Sequence, residues 1–276
     1  MNPDQIEAIE LSLLLETLFL RYGYDFRSYA RASVERRVRN FLPSCNCARI
    51  SDLIPRVLHE EALFSQLVQT LSISVTEMFR DPFVYQTLAE KVFPVLHTWP
   101  YVKVWHAGCA TGEEAYSMAI LLREEGIYDR CTLYATDFND QSLAQAREGI
   151  YGLDQVREWT ASYQAAGGRA TFGDYYHARY GSAVLAPDLR SRLTFANHNL
   201  AIDGIFGEMH LVVCRNVLIY FNRELQDRVL TLFAESLVHG GFLCIGTKED
   251  LQFSSVAPLF DVVDAKARIY KRNVRT

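Results

Sequence analysis

The chain comprises 276 residues, 49% of them hydrophobic, with a formal charge of −5 and six cysteines. That length and apolar content suffice for one large domain and a smaller one around a substantial core, which excludes a disordered chain. The mildly acidic balance speaks against general nucleic-acid binding and leaves room only for a local basic face.

The N-terminal stretch MNPDQIEAIELSLLLETLFL has an apolar run, but no basic region precedes it and Glu16 interrupts it. Nowhere do apolar residues continue for the length of a membrane span. A soluble, cytoplasmic protein without membrane insertion is expected. Cys45, Cys47, Cys109, Cys131, Cys214 and Cys244 are scattered, mostly at predicted strands, and read as small buried hydrophobes in a reducing compartment. Cys45 and Cys47 form the one close pair, and two further ligands at matching spacing are lacking, so no metal is expected.

From Gln5 to about Leu71 apolar residues recur at three and four, with Leu11, Leu14, Leu15, Leu18 and Phe19 on one helical face and Leu53, Ile54, Val57 and Leu58 on another. This predicts an all-α N-terminal domain over 1–75, broken at Tyr22-Gly23-Tyr24 and at Pro43-Ser44-Cys45-Asn46. A linker and helix occupy 76–100, the helix running from Asp81 to Leu96 with Pro82 in its first turn and its stop near Pro94. After Pro100 strands are predicted at 102–108, 131–137, 192–197, 209–214, 241–246 and 267–272, with helices at 112–125, 139–149 and 222–238. Such alternation implies an α/β, Rossmann-like, doubly wound parallel sheet over 101–276, with its ligand site at the carboxyl ends of the strands. The glycine- and tyrosine-rich stretch 152–190 breaks the alternation and reads as a small inserted antiparallel β subdomain, its hairpin turning at Gly181-Ser182.

The chemistry concentrates in VKVWHAGCATGEEAYSMAILL, Val102 to Leu122. A buried strand runs into Gly108 and Gly112 and on into a helix that opens with Glu113 and Glu114. Glycines let a ligand approach the backbone, and a helix N-terminus ordinarily draws phosphate. Here two carboxylates oppose a pyrophosphate and favour a ligand carrying an ammonium and a sulfonium, as S-adenosylmethionine does. The turn also differs from the G-x-G-x-x-G of dinucleotide binders. Asp137 ends the second strand, where an acid either receives ribose hydroxyls or, with Asn139, caps the next helix. Asn199 and Leu200 follow the third strand and either bracket an adenine or form a turn. Arg215 and Asn216 close the fourth strand; Asn216 suits a ligand's amino-acid portion, while Arg215 alternatively pairs with an acid such as Glu208. In the linker, Ser74, Thr76 and Arg80 can reach across the site, Arg80 with a bidentate grip on a carboxylate, although Thr76 or Asp81 can also cap a helix. Arg27, Arg31, Arg36, Arg37 and Arg39 concentrate positive charge on neighbouring helical turns, as a docking face or a solvated one.

In order, SVTEMFRD, VWHAGCATGEEAYSMAILL, YATDFNDQSLAQAREGIY, HNL, VVCRNVLIYFNRELQ and GGFLCIGTKEDL resemble the signatures of the chemotaxis receptor glutamate methyltransferases, the CheR family. ERRVRNFL in the helical part belongs to the same likeness, which covers nearly the whole chain. The resemblance implies a cytoplasmic, monomeric enzyme that moves a methyl group from S-adenosylmethionine to glutamate side chains on the cytoplasmic helical domain of chemoreceptors, leaving S-adenosylhomocysteine. It places cofactor contacts on Thr76, Arg80, Glu113 or Glu114, Asp137, Asn199, Leu200, Arg215 and Asn216. Ser74, Ala110, Ala115 and Glu208 stand where the family commonly has asparagine, serine, proline and aspartate. A glutamate, with an ordinary pKa of about 4.3, is ionised at neutral pH, so no general base is expected. Arg80 and Tyr220 are expected to orient the substrate, and Arg31, Arg36, Arg37 and Arg39 to meet an acidic receptor surface. The alternatives are an enzyme of the same fold with another protein or small-molecule substrate, and a non-catalytic S-adenosylmethionine sensor.

Overall fold

The structure, a computed structural model, describes residues 2–72 and 76–273. They form two compact units, Met1–Ile73 with Ile219–Arg228, and Ser74–Leu218 with Val229–Thr276.

The first unit is helical. Helix α1 (Pro3–Tyr22) opens on a reciprocal cap between Asn2 and Gln5, carries proline in its first turn, and ends at Gly23 with a left-handed φ of 77°. Its buried residues are Leu11, Leu14, Leu15 and Leu18. Helix α2 (Arg31–Phe41) buries Val34, Val38 and Phe41 and runs into a 3₁₀ turn at Leu42–Cys45, where proline enters. Helices α3 (Leu53–His59) and α4 (Glu61–Leu71) complete the unit. The distant segment 219–228 belongs here through backbone pairing: Ala30 N–H donates to Tyr220 O at 2.7 Å, Asn222 N–H donates to Ser28 O at 2.8 Å, and Tyr29 bridges Phe221.

The second unit opens with helix α5 (Pro82–Thr87), which continues through a π turn, Leu88–Val92, into α6 (Phe93–Leu96). The helix thus spans Pro82 to Leu96, as the sequence led one to expect, with Pro94 inside its last turn. Phe93 N–H reaches back to Leu88 O, and this wider turn takes in a proline whose missing N–H and ring would break a regular helix. Strand β1 (Val102–Ala107), helix α7 (Glu113–Glu124), strand β2 (Cys131–Asp137) and helix α8 (Asp140–Glu148) follow. Next come the inserted elements: strand β3 (Ile150–Gly152), helix α9 (Leu153–Ala165), strands β4 (Tyr176–Arg179) and β5 (Ser182–Leu185), then the short α10 (Pro187–Arg190). Strands β6 (Leu193–Asn197) and β7 (Met209–Cys214), helix α11 (Arg223–Ser236), of which the part from Val229 onward groups with this unit, and strands β8 (Leu237–Ile245), β9 (Phe260–Asp264) and β10 (Ile269–Arg272) close the chain.

The main sheet has the order β6-β2-β1-β7-β8-β10-β9. Its first five strands are parallel, with Val104 of β1 opposite Leu133 on one side and Leu211 on the other. The order reverses beside β1, which opens a crevice at the carboxyl ends of β1 and β7. Val102, Val104, Leu133, Leu211, Val213, Phe242 and Cys244 fill the core with α7, near-continuous apolar runs as strands covered on both faces require.

The sheet departs from the expected all-parallel arrangement at its end, where β8, β10 and β9 run antiparallel. Strand β9 was not expected: it is a short edge strand, FDVVD, largely uncovered by the core, and it pairs with β10 through an irregular register. The insertion is also not wholly β. Its three strands pair antiparallel in the order β3-β5-β4, but α9 lies between them. The buried residues Val156, Trp159 and Tyr163 carry helical spacing that the surrounding glycines and tyrosines obscured. The hairpin turns one residue earlier than expected, at Tyr180 and Gly181, with Arg179 opposite Ser182. Both turn residues have positive φ, as a two-residue hairpin connection demands.

Candidate functional site

The residues picked out by sequence at the ends of β1, β2, β6 and β7 converge on the crevice side of the sheet. The turn after β1 is built on Thr136 O, which accepts from both Gly108 N–H at 2.8 Å and Cys109 N–H at 2.9 Å. Ala110 then adopts a left-handed φ of 47° and donates its N–H to Asp137 Oδ2 at 2.9 Å. Asp137 Oδ1 takes the N–H of Asn139 at 2.9 Å, while Asn139 itself caps α8. Asp137 therefore ties the two turns together instead of capping the helix. Burial raises its carboxyl above the ordinary value, opposed in part by the N–H groups of Asn139, Ala110 and Phe138. With Oδ2 accepting from Ala110 and Oδ1 from Asn139, the carboxylate retains acceptor capacity.

Gly108 and Gly112 have φ of 77° and 95°. A Cβ on Gly108 would lie 2.6 Å from Val217 Cγ2, and one on Gly112 would lie 2.9 Å from Ala146 Cβ. At both positions a side chain of the protein itself fills the space that a Cβ would need.

Both acids that open α7 are engaged internally. Glu113 is buried and accepts from Thr111 Oγ1 at 2.7 Å; burial pushes its carboxyl up to about 7, an effect the Thr111 bond moderates. Glu114 accepts from Arg215 Nη1 at 3.0 Å and lies 3.3 Å from His106 Nδ1. Burial would raise Glu114, but His106 and Arg215 outweigh it and hold the carboxyl below its usual range.

Arg215 does not emerge into the crevice. Its side chain is 1% exposed, and the same guanidinium donates to Arg80 O at 3.0 Å and to Asp81 Oδ2 at 2.7 Å. Its acidic partners are Glu114 and Asp81, not Glu208. Phe79 and Asp81, which flank Arg80, have left-handed φ of 56° and 55°, and each such residue costs about 1–3 kcal/mol that its surroundings must hold in place. Asp81 makes no side-chain cap on α5. Asn216, at φ 61°, makes no side-chain hydrogen bond with the described residues, and neither does half-buried Thr76. Asn199 forms a turn, its Oδ1 accepting from Ala201 N–H at 3.0 Å, and Leu200 beside it is buried. Ser74 lies outside the described residues.

Tyr220 groups with the helical unit. So do the arginines, and most of these are spent on that unit: Arg31 donates to Ser12 Oγ and Ala8 O, Arg39 pairs with Glu7 and Glu35, and Arg27 pairs with Asp25 and Glu16. Arg37 is half-buried and donates to Thr70 O at 3.1 Å. Arg36 remains exposed.

Sequence reasoning missed His106 and Thr111, and took Asp81 for a helix cap rather than a partner of Arg215. His106 is the signal that was available, an ionisable side chain facing inward from an otherwise apolar strand end; it is fully buried and its Nε2 has no partner among the described residues. The crevice fits a cationic nucleoside. It carries a buried glutamate that accepts from the Thr111 hydroxyl, an aspartate with spare acceptor capacity and, in Asn216, an amide that makes no side-chain hydrogen bond with the described residues.

A parallel sheet that presents a glycine turn, two acids opening the next helix and an acid ending the neighbouring strand defines the class of S-adenosylmethionine-dependent methyltransferases. The family model described as CheR methyltransferase, SAM binding domain, matches residues 74–269, and CheR methyltransferase, all-alpha domain, matches residues 9–72. The chain belongs to the CheR methyltransferase family, with S-adenosylmethionine as cofactor and S-adenosylhomocysteine as product. It is 50% identical to the putative methyltransferase Cher3 of Pseudomonas putida, over 99% of this chain and 100% of that one. It is 29% identical to a chemotaxis protein methyltransferase of Listeria innocua, over 83% and 85% of the two chains. It is also 32% identical to an uncharacterized 104.1 kDa protein of Rhodobacter capsulatus, spanning 97% of this chain but 28% of that one. Among the described residues no helix is long and apolar enough to cross a membrane.

Proposed function

We propose that the protein methylates glutamate side chains on the cytoplasmic helical domain of chemoreceptors, forming glutamate methyl esters. The observation that carries this reading is the pair of CheR domain matches, all-α then cofactor-binding, which together span nearly the whole chain. The relatives named chemotaxis protein methyltransferases in Listeria and Vibrio add to it. Bound at the crevice, S-adenosylmethionine supplies a methyl group activated by its sulfonium. Asp137 would receive the ribose hydroxyls, Thr76 and Arg80 the carboxylate, and Asn216 the amino-acid portion, with the negative wall of Glu113 and Glu114 favouring the ligand's positive charge. Arg80 and Tyr220 would orient the acceptor.

A carboxylate nucleophile is ionised at neutral pH, so the reading requires alignment and desolvation rather than a base. Orientation of this kind is worth about 7–11 kcal/mol. Transfer of labelled methyl groups into membranes carrying chemoreceptors, followed by identification of the labelled proteins, tests it. Base-labile label on receptor glutamates is expected. Label confined to other proteins or to small molecules overturns the substrate, and S-adenosylmethionine binding without any transfer overturns the enzyme.

A further inference from the structure

We propose that Arg215 is a positioning residue for Arg80, acting through the linker backbone rather than on the ligand. The proposal rests on the reading above that Arg80 faces the reactants.

The residues around Arg80 are held from both sides. On one side Phe79 N–H donates to Ser117 Oγ at 2.9 Å. The fully buried Phe79 ring packs with Tyr85 at 5.5 Å, Tyr163 at 5.3 Å and Phe172 at 6.1 Å between centroids. On the other side one guanidinium grasps Arg80 O through Nη1 and the Asp81 carboxylate through Nη2. Nη1 also binds Glu114, which leans on His106 from the interior of the sheet. A chain of polar links thus runs from β1 through α7 and the end of β7 into the linker. Phe79 and Asp81 both sit in the left-handed region, which non-glycine residues keep only where their surroundings impose it.

The arginine at the end of β7 is therefore committed: its side chain is 1% exposed and three of its bonds go to the protein. What it determines is where the Arg80 peptide lies. Loss of the grip frees a strained turn to relax, and a shift of about 1 Å in an orienting group costs on the order of 10²-fold in rate.

A double-mutant cycle tests this, with methyl transfer into receptor-bearing membranes and S-adenosylmethionine binding measured for each variant. Arg80→Ala and Arg215→Gln should each lower kcat/KM on the order of 10²-fold. The double variant should be no slower than Arg80→Ala within about threefold, because Arg215 acts only through the group already removed. Losses that multiply in the double variant overturn the positioning role while leaving Arg80 in place. Arg80→Ala without effect on transfer or on cofactor affinity overturns the reading of the site, and this inference with it. Should Arg215→Gln fail to fold, Asp81→Asn serves: it removes one ion pair but keeps a residue that tolerates the left-handed region. Its loss of rate should be smaller and should vanish in the Arg80→Ala background; a loss that persists there overturns the proposal.

Discussion

Gly108→Ala separates two reasons for a glycine after β1. At a φ of 77° an alanine carries the left-handed penalty of about 1–2 kcal/mol. Its Cβ would sit 2.6 Å from Val217 Cγ2 and 3.3 Å from Cγ1, an overpacking that typically costs about 1–3 kcal/mol. The sum is about 2–5 kcal/mol, and at roughly 2–4 °C per kcal/mol for a chain of this size Tm should fall by on the order of 10 °C. Chemical denaturation and thermal unfolding of the ligand-free protein measure it. Adding Val217→Ala should recover the steric part and leave the conformational part, so that Gly108→Ala costs only about 1–2 kcal/mol in that background. A Gly108→Ala protein with unaltered stability and weakened S-adenosylmethionine binding would refute the reasoning, since the glycine would then be making room for ligand and not for Val217.

Glu113 makes the stability of the ligand-free protein depend on pH. Its carboxyl is pushed up to about 7 from an ordinary 4.5, so the folded state holds a proton that the unfolded state releases. That contribution is complete below about pH 4.5 and is lost as pH rises through about 7; it amounts to at most about 3 kcal/mol. Glu113→Gln should flatten the profile between about pH 4.5 and 7, and parallel profiles would contradict the assignment. Glu124 anchors the insertion: it accepts from Tyr163 Oη, from Tyr175 Oη at 2.8 Å and from Arg169 N–H at 3.2 Å. Glu124→Ala should cost about 2–3 kcal/mol by stranding these donors and should speed proteolysis within 166–182; an unchanged digestion pattern would show that the insertion is held otherwise. Arg36→Glu at an exposed position should change stability by less than about 0.5 kcal/mol yet slow methyl transfer to receptor membranes and weaken its salt dependence. Unaltered transfer would retire the docking role. Arg37→Glu, by contrast, should destabilise the helical unit, because its half-buried side chain holds Thr70 O.

Periodicity and punctuation already determine much of this protein in one dimension. The apolar runs of β1, β2 and β7, the Asn139 and Gly23 caps, and the switch from helical to alternating pattern after Pro100 are local signals, because each arises from backbone geometry within a few residues. The same holds for the placing of Asp137, Asn199 and Asn216. In a parallel sheet the residue after each strand falls on one edge, so the strand ends alone place these residues on the same edge. The motifs in order also carried the family, which the domain matches bear out.

Only the tertiary structure decided which partner each polar group would take. Arg215 looked like a ligand contact because it follows an apolar strand, but Asp81 and Glu114, 134 and 101 positions away in sequence, enclose it. At Gly108 the tertiary structure adds Val217, whose side chain a Cβ there would meet, and α9 was hidden by the composition around it. Segment 219–228 joins the helical unit through backbone bonds to Ser28 and Ala30 that no local pattern encodes. Sequence sets where side chains leave the backbone, since that is fixed by spacing. Their commitments are set by contacts between distant segments, where burial makes an unpartnered charge too costly to leave.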